Sequence, residues 1–233
     1  MRIEMWSDII CPVCGVTQLR IRNAVQQFEH GDEVEVIHRS FQVHPGIAPE
    51  GITQTQLSLD AGMTVAQMES VLRPMEISAD AEGFGGYHAI DRTLGPTALT
   101  HELLAYATDQ GKHHEAWTAM FTAHFSTNRQ LWTLQQLVEF ADEIGLDPAA
   151  ARDVLTARRY RAQVEEEQLR AQRMGATGTP FVVIDGRYGI GGGVDTATLV
   201  SVMERVRAES RPVPLSMPFG AGEQCGPGGA CAV

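Results

Sequence analysis

The chain has 233 residues and a formal net charge of −11, with 43% apolar and 20% charged residues. A chain of this length buries roughly 70–75% of its unfolded surface and needs no disulfide staple, and its acidic balance argues against nucleic acid or an anionic membrane as partner. No stretch approaches the ~20 apolar residues of a transmembrane helix. The start, Met1 to Asp8, lacks the basic region and apolar run of a secretory signal, so a cytoplasmic location is expected.

Residues 2–8 alternate weakly, with Ile3 and Met5 on one side and Glu4 and Trp6 on the other, which predicts a short strand. Cys11-Pro12 follows, and proline is favoured at the first helical position. Val16, Leu19, Val25 and Phe28 then form a helical stripe that His30-Gly31-Asp32 closes. Val34 to Phe41, rich in β-branched residues, reads as the next strand. The first forty residues therefore read β-α-β.

Residues 42–62 are punctuated by Pro45-Gly46, Pro49, Gly51 and Gly62, giving a loop region with room for one short helix. From Thr64 to Gly175 the strong signals are helical. His113, Trp117, Met120, Phe121, His124 and Phe125 share one face. Thr133 to Gln136 has the form of a capping box, Gly145 a helix stop, and Asp147-Pro148 a helix start. The glycine-rich stretch Gly83–Gly95 separates the first of these helices from the rest.

After Gly175, Thr179-Pro180 leads into Phe181 to Ile184, a buried-strand signature. Asp185-Gly186 is a hairpin turn that returns the chain through Arg187 to Ile190. Asp195 can cap a last helix bearing Leu199, Val202, Met203 and Val206. The expected organisation is α/β: residues 1–42 (β-α-β), a helical insertion over 43–174, and 175–208 (β-β-α). A Pro/Gly-rich tail follows over 209–233.

The four cysteines stand at 11, 14, 225 and 231. Cys11-Pro12-Val13-Cys14 lies between a strand and a helix, and that placement matters more than the spacing. A helix N-terminus carries about half a positive charge and unpaired N–H groups, which favour a thiolate. Helix-start cysteines of this kind titrate at roughly 3.5–7.5, against ~8.5 for free cysteine. The expectation is an exposed, nucleophilic Cys11 and a buried, resolving Cys14. The blander readings are a zinc half-site, a structural disulfide or inert thiols. Zinc needs two further ligands at matching spacing, and no second CxxC exists. Val13 carries neither charge nor donor, which by itself places the expected redox potential toward the reducing end.

Other signals are weaker. Gly189-Ile190-Gly191-Gly192-Gly193 fails as a nucleotide loop, because Val194 stands where a glycine is needed. His101, His124 and His113-His114-Glu115 read more simply as core or surface histidines than as metal ligands. Glu165-Glu166-Glu167 reads as a solvated helix face. Asp8 is placed either to cap loop amides or to perturb a thiol.

The chain resembles the DsbA-like oxidoreductases, specifically the FrnE-like branch. The resemblance rests on Trp6-Ser7-Asp8 before the CxxC, Arg39-Ser40-Phe41, Pro49-Glu50-Gly51 and Thr97 with His101. It continues through Gly111-Lys112, Gly145-Leu146-Asp147, Gly178 to Phe181 and the run Ile184 to Gly192. It covers about residues 1–207. Val13 stands where the family usually has tryptophan.

The resemblance implies a thioredoxin fold split by a helical insertion. It makes Cys11 the nucleophile, Cys14 the resolving cysteine and Pro180 a cis-proline beside them, with Pro12, Val13 and Thr179 on the substrate surface. The redox-active disulfide would be the only cofactor. Protein or small-thiol substrates and a recycling reductant or oxidant would be the partners. A glutathione-dependent isomerase of the 2-hydroxychromene-2-carboxylate type shares the split architecture, though its first cysteine is usually serine. A non-catalytic binding or chaperone role remains the third reading. Cys225 and Cys231 are a candidate second redox pair on a flexible arm, against a weak metal site or inert thiols.

Overall fold

The computed structural model describes residues 1–210, so the second cysteine pair expected at Cys225 and Cys231 lies outside the described residues. The chain opens with β1 (Arg2–Ser7), α1 (Pro12–Gln27) and β2 (Glu35–Ser40). There follow β3 (Ile52–Thr53), α2 (Gln54–Asp60), α3 (Val65–Ala81), β4 (Thr93–Leu94), α4 (Ala98–Asp109) and α5 (His113–Thr127). After these come α6 (Leu134–Glu143), α7 (Pro148–Thr156) and α8 (Arg161–Arg173). It closes with β5 (Phe181–Ile184), β6 (Tyr188–Gly191) and α9 (Thr196–Ser210). The main sheet has the order β2-β1-β5-β6, with β1 parallel to β2 and antiparallel to β5. That order is the thioredoxin fold, entered and left by the β-α-β and β-β-α units.

The alternation along β1 sets its two faces. Ile3 and Met5 join one core with Val16, Leu19 and Ile21 of α1 and Leu199 and Met203 of α9. Trp6 points the other way, into a second cluster with Phe41, Ala171, Phe181 and Val183. Burying a side chain of this size contributes upward of about 2 kcal/mol. Glu4 shares that second face. It is buried, and its carboxylate accepts from Arg39 (2.9 and 3.0 Å) and Arg170 (2.6 and 2.9 Å). Arg170 also lies 5.1 Å over the Trp6 ring. Charge and apolar contact together hold α8 on the sheet.

The helical region is continuous with the thioredoxin core rather than a lobe apart. One cluster runs from Ile3 and Cys14 through Leu103, Trp117, Phe121 and Phe125 to Phe140. The α5 stripe supplies the bridge: Trp117, Met120, Phe121, His124 and Phe125 are all buried. The same helices protect the edge of β2. The outward N–H groups of His38, Ser40 and Gln42 donate to His113 Nε2 (2.9 Å), Glu167 Oε2 (2.7 Å) and Gln168 Oε1 (3.1 Å). An edge that would otherwise template pairing with another chain is thereby covered. Glu167, expected on a solvated face, is one of these caps.

The local signals act as the sequence predicts. Thr133 and Gln136 form a reciprocal capping box, and Asp147 caps α7 with Pro148 at its first position. Asp185 and Gly186 both take positive φ (48° and 66°) in the β5–β6 turn. The two-residue strands β3 and β4 have no counterpart in the expectation, because two residues give no period to read. They pair Ile52 with Leu94 and Thr53 with Thr93.

Candidate active site

Cys11 sits at the N-cap of α1 with extended φ/ψ (−81°, 114°), and Pro12 begins the helix. The carbonyl of Cys11 accepts from the N–H groups of Cys14 (3.1 Å) and Gly15 (3.3 Å). Both thiols are free. The expected exposure of Cys11 is not what the structure has: Cys11 is 8% exposed and Cys14 0%. The order is as expected, but both are buried. The Thr179 carbonyl meets the thiol, and the insertion grips the backbone on either side of it.

The Thr179–Pro180 peptide is cis. The Cys11 thiol donates to the Thr179 carbonyl across 3.7 Å, so residues 168 positions apart meet at the site. The Pro180 carbonyl accepts from Gly192 N–H at 2.8 Å, which brings the β6–α9 loop to the rim. A side chain at Gly193 would come within 3.0 Å of Val13. The triglycine Gly191–Gly193 thus forms the wall beside Val13. Pro12, Val13 and Thr179 are partly exposed at this rim, and Pro180 is buried beneath it.

The two thiols are electrostatically unlike. Cys11 is held below the ordinary thiol range, chiefly because the Cys14 thiol donates to it, with the Thr179 side chain and the Cys14 backbone N–H adding. Desolvation and the charge of Asp8 oppose this. Cys14 is pushed well above that range by burial and by its hydrogen bond to Cys11. The proton is thus held more tightly on Cys14 than on Cys11, the order that a nucleophile and a resolving thiol require.

Three groups from the insertion reach this centre. Tyr87 Oη donates to the Pro12 carbonyl at 2.6 Å, and Arg92 Nη1 donates to the Ile10 carbonyl at 2.7 Å. The carbonyls of Ile10 and Pro12, the residues on either side of Cys11, are each held by one residue of the Gly83–Gly95 stretch. Tyr87 is stacked on Phe125 with ring centroids 4.3 Å apart. Arg92 is positioned by the β3–β4 ribbon: Gln54 N–H donates to its carbonyl (3.0 Å), and its guanidinium donates to Gln54 Oε1 (2.7 Å). His101, from α4, lies 3.3 Å from Asp8 Oδ1, and both are fully buried. Asp8 Oδ2 accepts from Val43 N–H at 2.7 Å, so Asp8 caps a loop amide as well as facing the site.

His124 serves the core. Its Nε2 faces Arg92 at 3.1 Å, and burial followed by the Arg92 charge pushes it down to about 3, so it is a neutral acceptor. Among the described residues no group of three or more His, Cys, Asp or Glu is arranged to hold a metal ion. Among them, too, no helix is long and apolar enough to cross a membrane.

A thioredoxin fold with a dithiol at a helix start is the arrangement of a thiol–disulfide oxidoreductase or a related isomerase. Residues 2–204 match the DSBA-like thioredoxin domain, and the chain belongs to that family. A "probable DsbA oxidoreductase" from Streptomyces coelicolor is similar over 100% of this chain and 99% of its own, at 34% identity and a TM-score of 0.85. The cytosolic disulfide reductase DsbM from Pseudomonas aeruginosa shares the fold, over 90% of this chain and 100% of its own, at 15% identity and a TM-score of 0.61. So does a 2-hydroxychromene-2-carboxylate isomerase, over 90% and 97%, at 12% identity and a TM-score of 0.67.

Proposed function

We propose that the protein is a thiol–disulfide oxidoreductase that exchanges a Cys11–Cys14 disulfide or dithiol with protein or small-thiol substrates. The observation that carries this reading is the pairing of a lowered thiol at Cys11 with a raised, fully buried thiol at Cys14, next to Thr179 and Pro180. In the reducing direction the Cys11 thiolate attacks a substrate disulfide. An S–S bond forms between them and the first substrate thiol leaves. Cys14 then loses its proton and attacks the Cys11 sulfur, releasing the second thiol and leaving Cys11–Cys14 oxidised. An external thiol returns the pair to the reduced state. In the oxidising direction the same steps run backward.

The partly exposed rim of Pro12, Val13 and Thr179 is where a substrate would lie, and no cofactor beyond the dithiol enters the scheme. A cytoplasmic setting fits this reading, as it is described for DsbM. The isomerase alternative is disfavoured by the intact cysteine pair. Insulin reduction by a thiol reductant tests the proposal: the protein should accelerate precipitation of the B chain, and Cys11→Ser should abolish the acceleration. Equal rates with and without the protein would refute it.

A further inference from the structure

Arg92 is 4% exposed, and every group it hydrogen-bonds is neutral. Its acceptors are the carbonyls of Ala89 (3.0 Å) and Ile10 (2.7 Å), the Gln54 side-chain oxygen (2.7 Å) and neutral His124 (3.1 Å). The guanidinium also lies 4.9 Å from the centroid of the Phe125 ring. A buried charge without a paired carboxylate is costly, and such charges are ordinarily matched. The acids within electrostatic reach are Asp8 and Glu76. Asp8 is engaged by Val43 and His101, and Glu76 by Arg73 and the amides of Ala89 and Ile90. Of the other groups in reach, Tyr87 is held protonated by burial, and Cys11 is the one that becomes an anion in the reaction cycle.

We propose that Arg92 is a positioning residue that serves as the buried counter-cation of the Cys11 thiolate, so that the insertion, rather than the Pro12-Val13 dipeptide, tunes the redox pair. The inference rests on the reading of Cys11 as the nucleophile. Its geometry is direct: the guanidinium is bonded to the Ile10 carbonyl, the peptide oxygen immediately before Cys11, and Tyr87 is bonded to the Pro12 carbonyl, one peptide beyond Cys11. The carbonyl of Cys11 itself is taken by the N–H groups of Cys14 and Gly15, so the peptide oxygens on both sides of Cys11 are occupied by donors, the first of them by the Arg92 cation. The Asp8 carboxylate works against a thiolate at Cys11, and Arg92 lies within electrostatic reach of both Asp8 and Cys11, with a charge of the opposite sign. Burial holds Arg92 down to about 10, so it is a cation throughout the range in which Cys11 titrates. Stabilising the thiolate favours the dithiol state and makes the pair a stronger oxidant than Pro12-Val13 alone would give. The low dielectric around a fully enclosed guanidinium makes the effect larger than a surface arginine could exert.

Gln54→Glu isolates the charge from the brace. The change is isosteric, keeps the oxygen that accepts from Arg92, replaces the Nε2 that donates to Ser58 Oγ with an oxygen that the Ser58 hydroxyl can donate to, and cancels the cation in place. The full-length protein and its variants are titrated by thiolate absorbance, with the Cys11→Ser titration subtracted, and equilibrated against reduced and oxidised glutathione. Gln54→Glu and Arg92→Gln should each lower the Cys11 thiolate fraction about tenfold at a pH below its midpoint, which is one unit of pKa. The glutathione equilibrium should move about tenfold toward the disulfide. Arg92→Lys, which keeps charge but not the forked bonds, should recover most of the shift. Tyr87→Phe, which loses a bond and no charge, should move the thiolate fraction less than threefold. A Gln54→Glu protein within threefold of wild type overturns the proposal, as does an Arg92→Lys shift equal to that of Arg92→Gln. If Arg92→Gln does not fold, Gln54→Glu decides alone. The thiolate titration is read without any substrate, so a failure here is distinct from a failure of insulin reduction.

Discussion

Gly15→Ala is the substitution for which local and tertiary physics disagree in sign. Gly15 lies in the first turn of α1, where alanine is intrinsically better than glycine by up to about 1 kcal/mol. A Cβ there, however, would fall far inside contact distance of the Tyr87 hydroxyl and 2.9 and 3.0 Å from two ring carbons. Tyr87 cannot swing aside freely. It is 2% exposed, stacked on Phe125 and edge-on to Phe84, and its hydroxyl is bonded to Pro12. Overpacking of a tight site costs about 1–3 kcal/mol, and loss of the Tyr87 hydrogen bond adds about 1 kcal/mol. Against the propensity gain, Gly15→Ala should destabilise by about 1–3 kcal/mol. Urea unfolding of the single variants and of Gly15→Ala with Tyr87→Phe forms a double-mutant cycle. Removing the hydroxyl should relieve part of the clash, so the double variant should be more stable than the sum of the singles. A Gly15→Ala protein more stable than wild type, or strict additivity, would refute the packing argument.

Glu4→Gln should destabilise by about 2 kcal/mol in urea unfolding, because it leaves Arg39 and Arg170 facing each other. A fully buried pair would cost about 3–5 kcal/mol, and the partial exposure of both arginines (24% and 42%) reduces that figure. No loss would mean that the ion cluster does not hold α8 to the sheet. His124 gives a pH dependence. Its folded value of about 3 lies below the ordinary 6.5, so above about pH 6.5 it is neutral in both states and its contribution is complete. As the pH falls below that point the unfolded chain gains a proton that the folded protein does not. Stability then drops by about 1.4 kcal/mol per pH unit until the folded value is reached. Between pH 7 and 5 the loss from this residue is about 2 kcal/mol, and His124→Gln should shrink the measured pH dependence by that amount. An unchanged dependence would show that His124 is protonated in the fold.

The frame of the fold is legible because its signals are local. Asp185-Gly186, Asp147-Pro148 and the Thr133 capping box each state their geometry within four residues. The CxxC likewise announces itself by lying between a strand and a helix start. What the sequence does not display is the half of the site that arrives from far away. Tyr87 and Arg92 lie in a glycine-rich stretch with no period, and their partners Pro12 and Ile10 are 75 and 82 residues distant. An arginine there looks like any solvated loop residue until the β3–β4 ribbon places it. Cys11 is likewise met by a distant residue, Thr179, 168 positions away. Exposure inferred from a helix N-terminus takes no account of what packs over it.

The proposed exchange requires Cys11 as attacking thiol and Cys14 as resolving thiol. Cys14→Ser, incubated with a disulfide substrate and resolved without reductant, should accumulate a mixed disulfide mapped by peptide mass to Cys11, because the step that releases the product is gone. Cys11→Ser should accumulate none at the site under the same conditions, peptide mass separating any adduct on Cys225 or Cys231, since the remaining site thiol is fully buried and held well above the ordinary thiol range. A mixed disulfide found on Cys14, or on neither cysteine, would contradict the assignment.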